Sequence, residues 1–339
     1  MKGRTYLDWN ATAPLRAEAR AAVLDALDVT GNPSSVHAEG RRAKALVDRA
    51  REDVAALVGC QPAEVVFTSG ATEGAGVLRG WQGPVEADPT AHDCVWVHRR
   101  EGEGRAIRAI GLANSETGGV TEPSGEGPLF LDVVQAVGRI PFAFGWSGAD
   151  FAIVSAHKIG GPKGTGALIV RQGIDIDALS PGGGQEQGRR SGTENVGGIA
   201  GFGAAARAAL AEQEAGAWDR VSEMRDDLEQ RLVQGAGDTI FVGRDGPRLP
   251  NTACLATPGW KGETQVMQMA LARFAVSAGS AGTSGKVKTS RVLLAHGLDD
   301  RAAGSAIRVS LGTATTDEEV ARFADAWLVA HDKFRRKAA

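Results

Sequence analysis

The segment DFAIVSAHKIGGPKGTGALIV (150–170) places a lysine, Lys158, between an apolar run and a glycine-rich turn. Burial and charged neighbours can lower a lysine pKa until its amine is a nucleophile able to form a Schiff base. The plainer reading is a solvated lysine on a turn. Ser155 and His157 beside it could bind a cofactor phosphate. In FLDVVQAVG (130–138) a strand ends in Asp132, and Gln135 follows three residues later. An inward carboxylate at a strand end can hold a protonated pyridine nitrogen, or it can simply cap a helix. FTSGATEG (67–74) leaves backbone N–H groups open near Thr72, as an anion cradle does and as an ordinary helix cap does. His92, in ADPTAHDCV, reads by itself as a packed or solvated histidine.

Positioning these residues takes alternating strands and helices. Short apolar runs at 64–68, 94–98, 108–112, 130–134, 150–156 and 166–170 read as buried strands, mostly parallel. Helices are expected over 16–28, 197–215, 218–234, 264–273 and 316–331. Another helix carries Leu46, Ala50, Val54 and Leu57 on one face and stops at Gly59. Residues 31–40 and 181–196 are turn-rich loops. The pattern is an α/β part followed by a smaller α+β part. The division expected is a large cofactor-binding domain over 15–225 and a small domain from 1–14 and 226–339.

The 339 residues allow about two domains at roughly 150 residues each. The composition is 42% hydrophobic and 23% charged, with 46 glycines in no fixed period. That excludes a disordered or fibrous chain. A net charge of −3 argues against a nucleic-acid partner. No apolar run approaches the ~20 residues of a membrane span, and the N-terminus lacks a signal-peptide core. A cytoplasmic protein without a membrane partner is expected. Its three cysteines, Cys60, Cys94 and Cys254, stand at no metal-binding spacing. They read as free thiols, and no metal is expected.

Together the motifs resemble the cysteine desulfurases of the class V aminotransferase group, fold-type I pyridoxal phosphate enzymes. The matching pieces run in order along the whole chain: YLDWNATAP, GNPSSVHAEGRRA, EVVFTSGATEG, ANSETGG, LDVVQAVGRIP, SAHKIGGPKGTGAL, PGGGQEQGRRSGTENV, SAGSAGTSGKV and IRVSLG. The resemblance implies a large domain with a mixed, mostly parallel sheet between helices, plus a smaller α+β domain. It implies that Lys158 is the Schiff-base lysine and moves the proton at the substrate Cα. Asp132 would pair with the pyridine nitrogen, Gln135 would lie near the phenolic oxygen, and His92 would stack on the ring. Ala71, Thr72, Ser155 and His157 would hold the phosphate. Thr193 would reach the phosphate of a neighbouring subunit, which implies a homodimer with shared sites. Arg308 would clamp the substrate carboxylate with help from Asn32.

The chain departs from the family at three places. Gly282 stands where the family carries its nucleophilic loop cysteine, and Ser115 replaces a second asparagine. The stretch after His92 is short. Glycine cannot attack a sulfur atom as a thiolate does. The expected function is therefore cysteine desulfurase-like, acting on L-cysteine or a relative in sulfur metabolism and iron–sulfur cluster assembly. The sulfur would leave to a partner thiol or an iron–sulfur scaffold protein. The alternatives are a cofactor-binding subunit that has lost turnover and partners an active desulfurase or scaffold, and another aminotransferase or lyase reaction of the group.

Overall fold

The apolar runs of the sequence become strands that are buried along their length. The computed structural model describes residues 3–279 and 289–338. Its strands are β1 (Thr5–Tyr6), β2 (Val65–Thr68), β3 (Val85–Ala87), β4 (Ile107–Gly111), β5 (Leu129–Asp132) and β6 (Phe151–Ser155), then β7 (Gly166–Val170), β8 (Ile240–Phe241), β9 (Thr252–Ala256), β10 (Phe274–Ala275), β11 (Ser277–Ala278) and β12 (Ala306–Ser310). The chain forms two units. One comprises Thr12–Ala113 with Thr121–Ala215, the other Met1–Ala11, Asn114–Val120 and Gly216–Ala339. The C-terminal unit thus begins at Gly216, and a short segment from mid-chain belongs to it.

The first unit holds a six-stranded sheet in the order β2-β7-β6-β5-β4-β3. Strands β3 to β6 run parallel, and β7 is antiparallel to both its neighbours. No residue of β2, β5, β6 or β7 faces solvent, so both sheet faces are covered. Val66, Phe130, Ile153 and Leu168 share one core cluster with Leu78 and Val95. Phe67, pointing the other way from Val66, meets Phe202 edge-on at 6.2 Å. Phe202 belongs to the helix Val196–Glu214, which packs with helices Ala17–Leu27 and Ala38–Val58.

Helix Ala38–Val58 buries Val47, Ala50, Val54 and Leu57, and Gly59 ends it at φ +69°, a left-handed cap that suits glycine. Leu46 is only half-buried, and Val47 takes the inward position. Residues 94–98, expected as a strand, are instead helical over Asp93–Trp96. His92 caps that turn through its own ring, and the local cap outweighs the β-branched content of CVWVH. A strand that the sequence did not reveal, β3, forms the sheet edge.

The second unit has an antiparallel sheet, β11-β12-β9-β8, and a parallel pair, β1-β10. Helices Ala217–Gly235 and Asp317–Ala338 pack against each other. Trp218, Leu228, Phe323 and Trp327 fill the core there. Among the described residues no helix is long and apolar enough to cross a membrane.

Candidate functional site

Parallel strands deliver their C-terminal ends to one edge of a sheet, and open α/β sheets bind ligands there. Asp132 is the last residue of β5 and Ser155 the last of β6. Asp132 pairs in register with Ile153, two residues before Ser155. A single 3-10 turn, Ala156–Lys158, then carries His157 and Lys158 off the end of β6. The turn is tight because β7 returns at once, with Ser155 opposite Gly166. A Cβ on Gly166 would come within 2.7 Å of the Gly70 Cα, so only glycine lets the FTSGATEG segment approach this edge.

Asp132 is 8% exposed, and its Oδ1 accepts from the Val134 amide at 3.0 Å. Burial pushes its carboxyl above the ordinary carboxylate range, while His92, the Val134 amide and Lys158 pull the other way. A cationic ring nitrogen would offset that burial cost. Four residues from Gln135 lies Arg139, also buried. Its Nη1 donates to Gln135 Oε1, and its Nη2 donates to the Lys158 carbonyl at 3.3 Å.

His157 is pushed down to about 4, chiefly by burial and then by Lys158 and Lys163. Its Nδ1 is buried with no partner among the described residues. A neutral imidazole can donate from that nitrogen, and an anionic oxygen is the natural acceptor. The orphaned donor and the buried carboxylate therefore both fit pyridoxal phosphate, one by its phosphate and the other by its ring nitrogen. His92 Nδ1 accepts from the Cys94 amide at 3.1 Å, so in the neutral ring the proton sits on Nε2. Thr72 lies in the short turn Ala71–Gly74.

Arg308 lies in the other unit, on β12, facing the same way as its register partners Cys254 and Ser277. Its Nη2 pairs with Asp8 Oδ1 at 2.7 Å, and its Nη1 donates to the Ser115 carbonyl at 2.9 Å. Its Nε is buried without a partner among the described residues. Ser277 Oγ donates to Asp8 Oδ2 at 2.7 Å, so Asp8 bridges two strands. Asn10 Nδ2 donates to the same Ser115 carbonyl at 3.1 Å. The residue at 115 thus serves through its backbone.

The structure brings Asp132, Gln135, Ser155, His157 and Lys158 together, with His92 near enough to pull the Asp132 carboxyl down. Ala71 and Thr72 lie on the turn beside Gly70. Thr193 is exposed on the loop before helix Val196–Glu214. Asn32 is exposed too, and its Oδ1 accepts from the Ser34 amide at 2.9 Å, a local turn rather than a contact with the cluster. Gly282 lies outside the described residues. None of the three cysteines is poised for attack. Burial pushes Cys60 and Cys254 up to about 12 and raises Cys94 as well. Arg139 and Asp8 escaped the sequence reading. The i, i+4 spacing of Gln135 and Arg139 was the available signal. No group of His, Cys, Asp or Glu suited to a metal occurs among the described residues.

The aminotransferase class-V family model matches residues 5–98 and 126–323. The unmatched stretch includes the shortened region after His92. A cysteine desulfurase of Frankia sp. is 39% identical, with 94% of this chain and 89% of that protein covered. The cysteine desulfurase IscS of Dictyoglomus turgidum is 34% identical, covering 94% and 92%. Among solved structures, a NifS-like protein from Rickettsia africae superposes with a TM-score of 0.89 at 28% identity, over 97% of this chain and 99% of that one. By its family-model match, its relatives and its solved-structure neighbours, the chain belongs to the aminotransferase class-V family of pyridoxal phosphate enzymes, as a cysteine desulfurase-like member.

Proposed function

We propose that the protein takes sulfur from L-cysteine and delivers it to a thiol supplied by another molecule. The reaction is L-cysteine plus an acceptor thiol giving L-alanine plus the acceptor persulfide, which balances without an oxidant. The observation that carries this reading is the buried Asp132 at the end of β5 beside the β6 end that delivers Ser155, His157 and Lys158. When bound, pyridoxal phosphate supplies an electron sink conjugated to the substrate amino group. Lys158 holds the cofactor covalently and moves the proton at the substrate Cα. Asp132 would keep the ring nitrogen protonated, Gln135 would donate to the ring oxygen, and His92 would stack on the ring. Ala71, Thr72, Ser155 and His157 bind the phosphate, and Thr193 serves the phosphate of a second copy in a homodimer. Arg308 binds the substrate carboxylate, aided by Asn32.

The acceptor is external because burial disarms Cys60, Cys94 and Cys254, and position 282 is glycine. Iron–sulfur cluster assembly is the destination we infer, supported by the desulfurase relatives. The test is to load the protein with pyridoxal phosphate, add L-cysteine with and without dithiothreitol, and quantify alanine and sulfide. Alanine that forms only when a thiol is added supports the reading. Absence of alanine with every thiol tried supports the second reading, a cofactor-binding subunit without turnover, which the raised cysteines favour. Gly282→Cys restores the thiol and is expected to accumulate a protein-bound persulfide from L-cysteine, read by mass spectrometry.

A further inference from the structure

We infer that Arg139 is a positioning residue that fixes which edge of the Gln135 amide faces the cofactor. The inference rests on the site assignment proposed above. An arginine side chain has only donors. The Nη1 of Arg139 meets Gln135 Oε1 and also the Gln135 carbonyl at 3.4 Å. A carboxamide beside a guanidinium must turn its oxygen toward it, so its NH2 edge faces away from Arg139. The same guanidinium reaches the Lys158 carbonyl through Nη2 at 3.3 Å. One buried, rigid fork therefore ties the residue opposite the ring oxygen to the backbone of the lysine that holds the cofactor. The local fold makes this possible. Residues 134–139 form hydrogen-bonded turns after β5, with Val137 bonded to Val133 and Arg139 to Ala136, and Gly138 reverses the chain at φ +72°. These turns bring the Arg139 guanidinium back onto the Gln135 side chain.

An N–H donor favours the deprotonated ring oxygen, whereas a carbonyl lone pair in its place repels it. Without Arg139 the amide oxygen loses the donor that sets which edge faces the cofactor. The pH midpoint of the visible band of the lysine-bound cofactor then rises by about one unit, and cofactor affinity falls about tenfold.

The experiment compares Arg139→Leu, Arg139→Lys, Gln135→Leu and the double variant Gln135→Leu/Arg139→Leu. Each is titrated with pyridoxal phosphate for Kd and then with pH for the band midpoint. Arg139→Leu is expected to shift both quantities and to add nothing in the Gln135→Leu background. Arg139→Lys keeps a donor near Gln135 and is expected to restore most of the midpoint, which also covers the case where Arg139→Leu does not fold. Full additivity of the two Leu substitutions overturns the inference, as does a midpoint unchanged in Arg139→Leu. If that variant does not fold, a Lys variant with the midpoint of Gln135→Leu overturns it. A normal wild-type band beside such results leaves the site assignment standing. A wild-type protein with no visible band, indistinguishable from Lys158→Ala, overturns the assignment and this inference with it.

Discussion

His157 shows how one side chain can make a cofactor site sensitive to pH. Its folded value near 4 lies below the ordinary 6.5, so folding favours the neutral ring. The stability this contributes is fully present above pH 6.5 and is lost as pH falls from 6.5 through about 4. Solvent reaches part of the ring, so the effect is moderate. Chemical denaturation of the cofactor-free protein at several pH values should show that acid-side slope, and His157→Asn should flatten it. Arg308 makes a different demand. Its guanidinium is 7% exposed in its residue and paired with Asp8. Asp8→Ala strands a buried charge and is expected to cost about 3 kcal/mol of stability, measured by urea unfolding. The thiols give a third residue-level outcome. Ellman's reagent at pH 8 should label Cys60, Cys94 and Cys254 slowly in the native protein and rapidly in denaturant.

Between helices, the contact to test is Gly203 against Ala50. A Cβ on Gly203 would stand 2.5 Å from the Ala50 Cα, so helices Val196–Glu214 and Ala38–Val58 touch backbone to backbone there. Gly203→Ala gains helix propensity but must push the pair apart, with an expected net loss of about 1–3 kcal/mol and a lower Tm. The legibility of the sequence follows the same line between local and distant causes. Helix Ala38–Val58 was readable because its apolar spacing and Gly59 stop are local. Strands β5 to β7 were readable because burial on both faces leaves continuous apolar runs. The turn at Asp93–Trp96 was misread because its cap is a histidine, which propensity does not flag. The edge strand β3 was missed because it is three residues long with the charged, exposed Glu86 at its centre. At the site, Lys158, Asp132 and His157 were legible as types and motifs. Arg139 and Asp8 were not, because their roles exist only once Gln135 and Arg308 are in place.

For the molecule as a whole, exposed Thr193 and the shared-site proposal predict a two-chain particle. Sedimentation should report about twice the 35.2 kDa chain, and a monomer retaining full cofactor affinity would count against shared sites. The division into units has a further consequence, for how the protein is made. Strand β1 pairs with β10, and the Asn10 amide finds Ser310 Oγ 300 positions later. At roughly 5–20 residues per second, the ribosome takes about 15–60 s to supply that partner. From Ala215 onward the nascent chain carries all of the sheet unit while its N-terminal strand still waits for a partner. A premature stop before β10 would release a product in which β1 and the Asn10 amide both lack these partners.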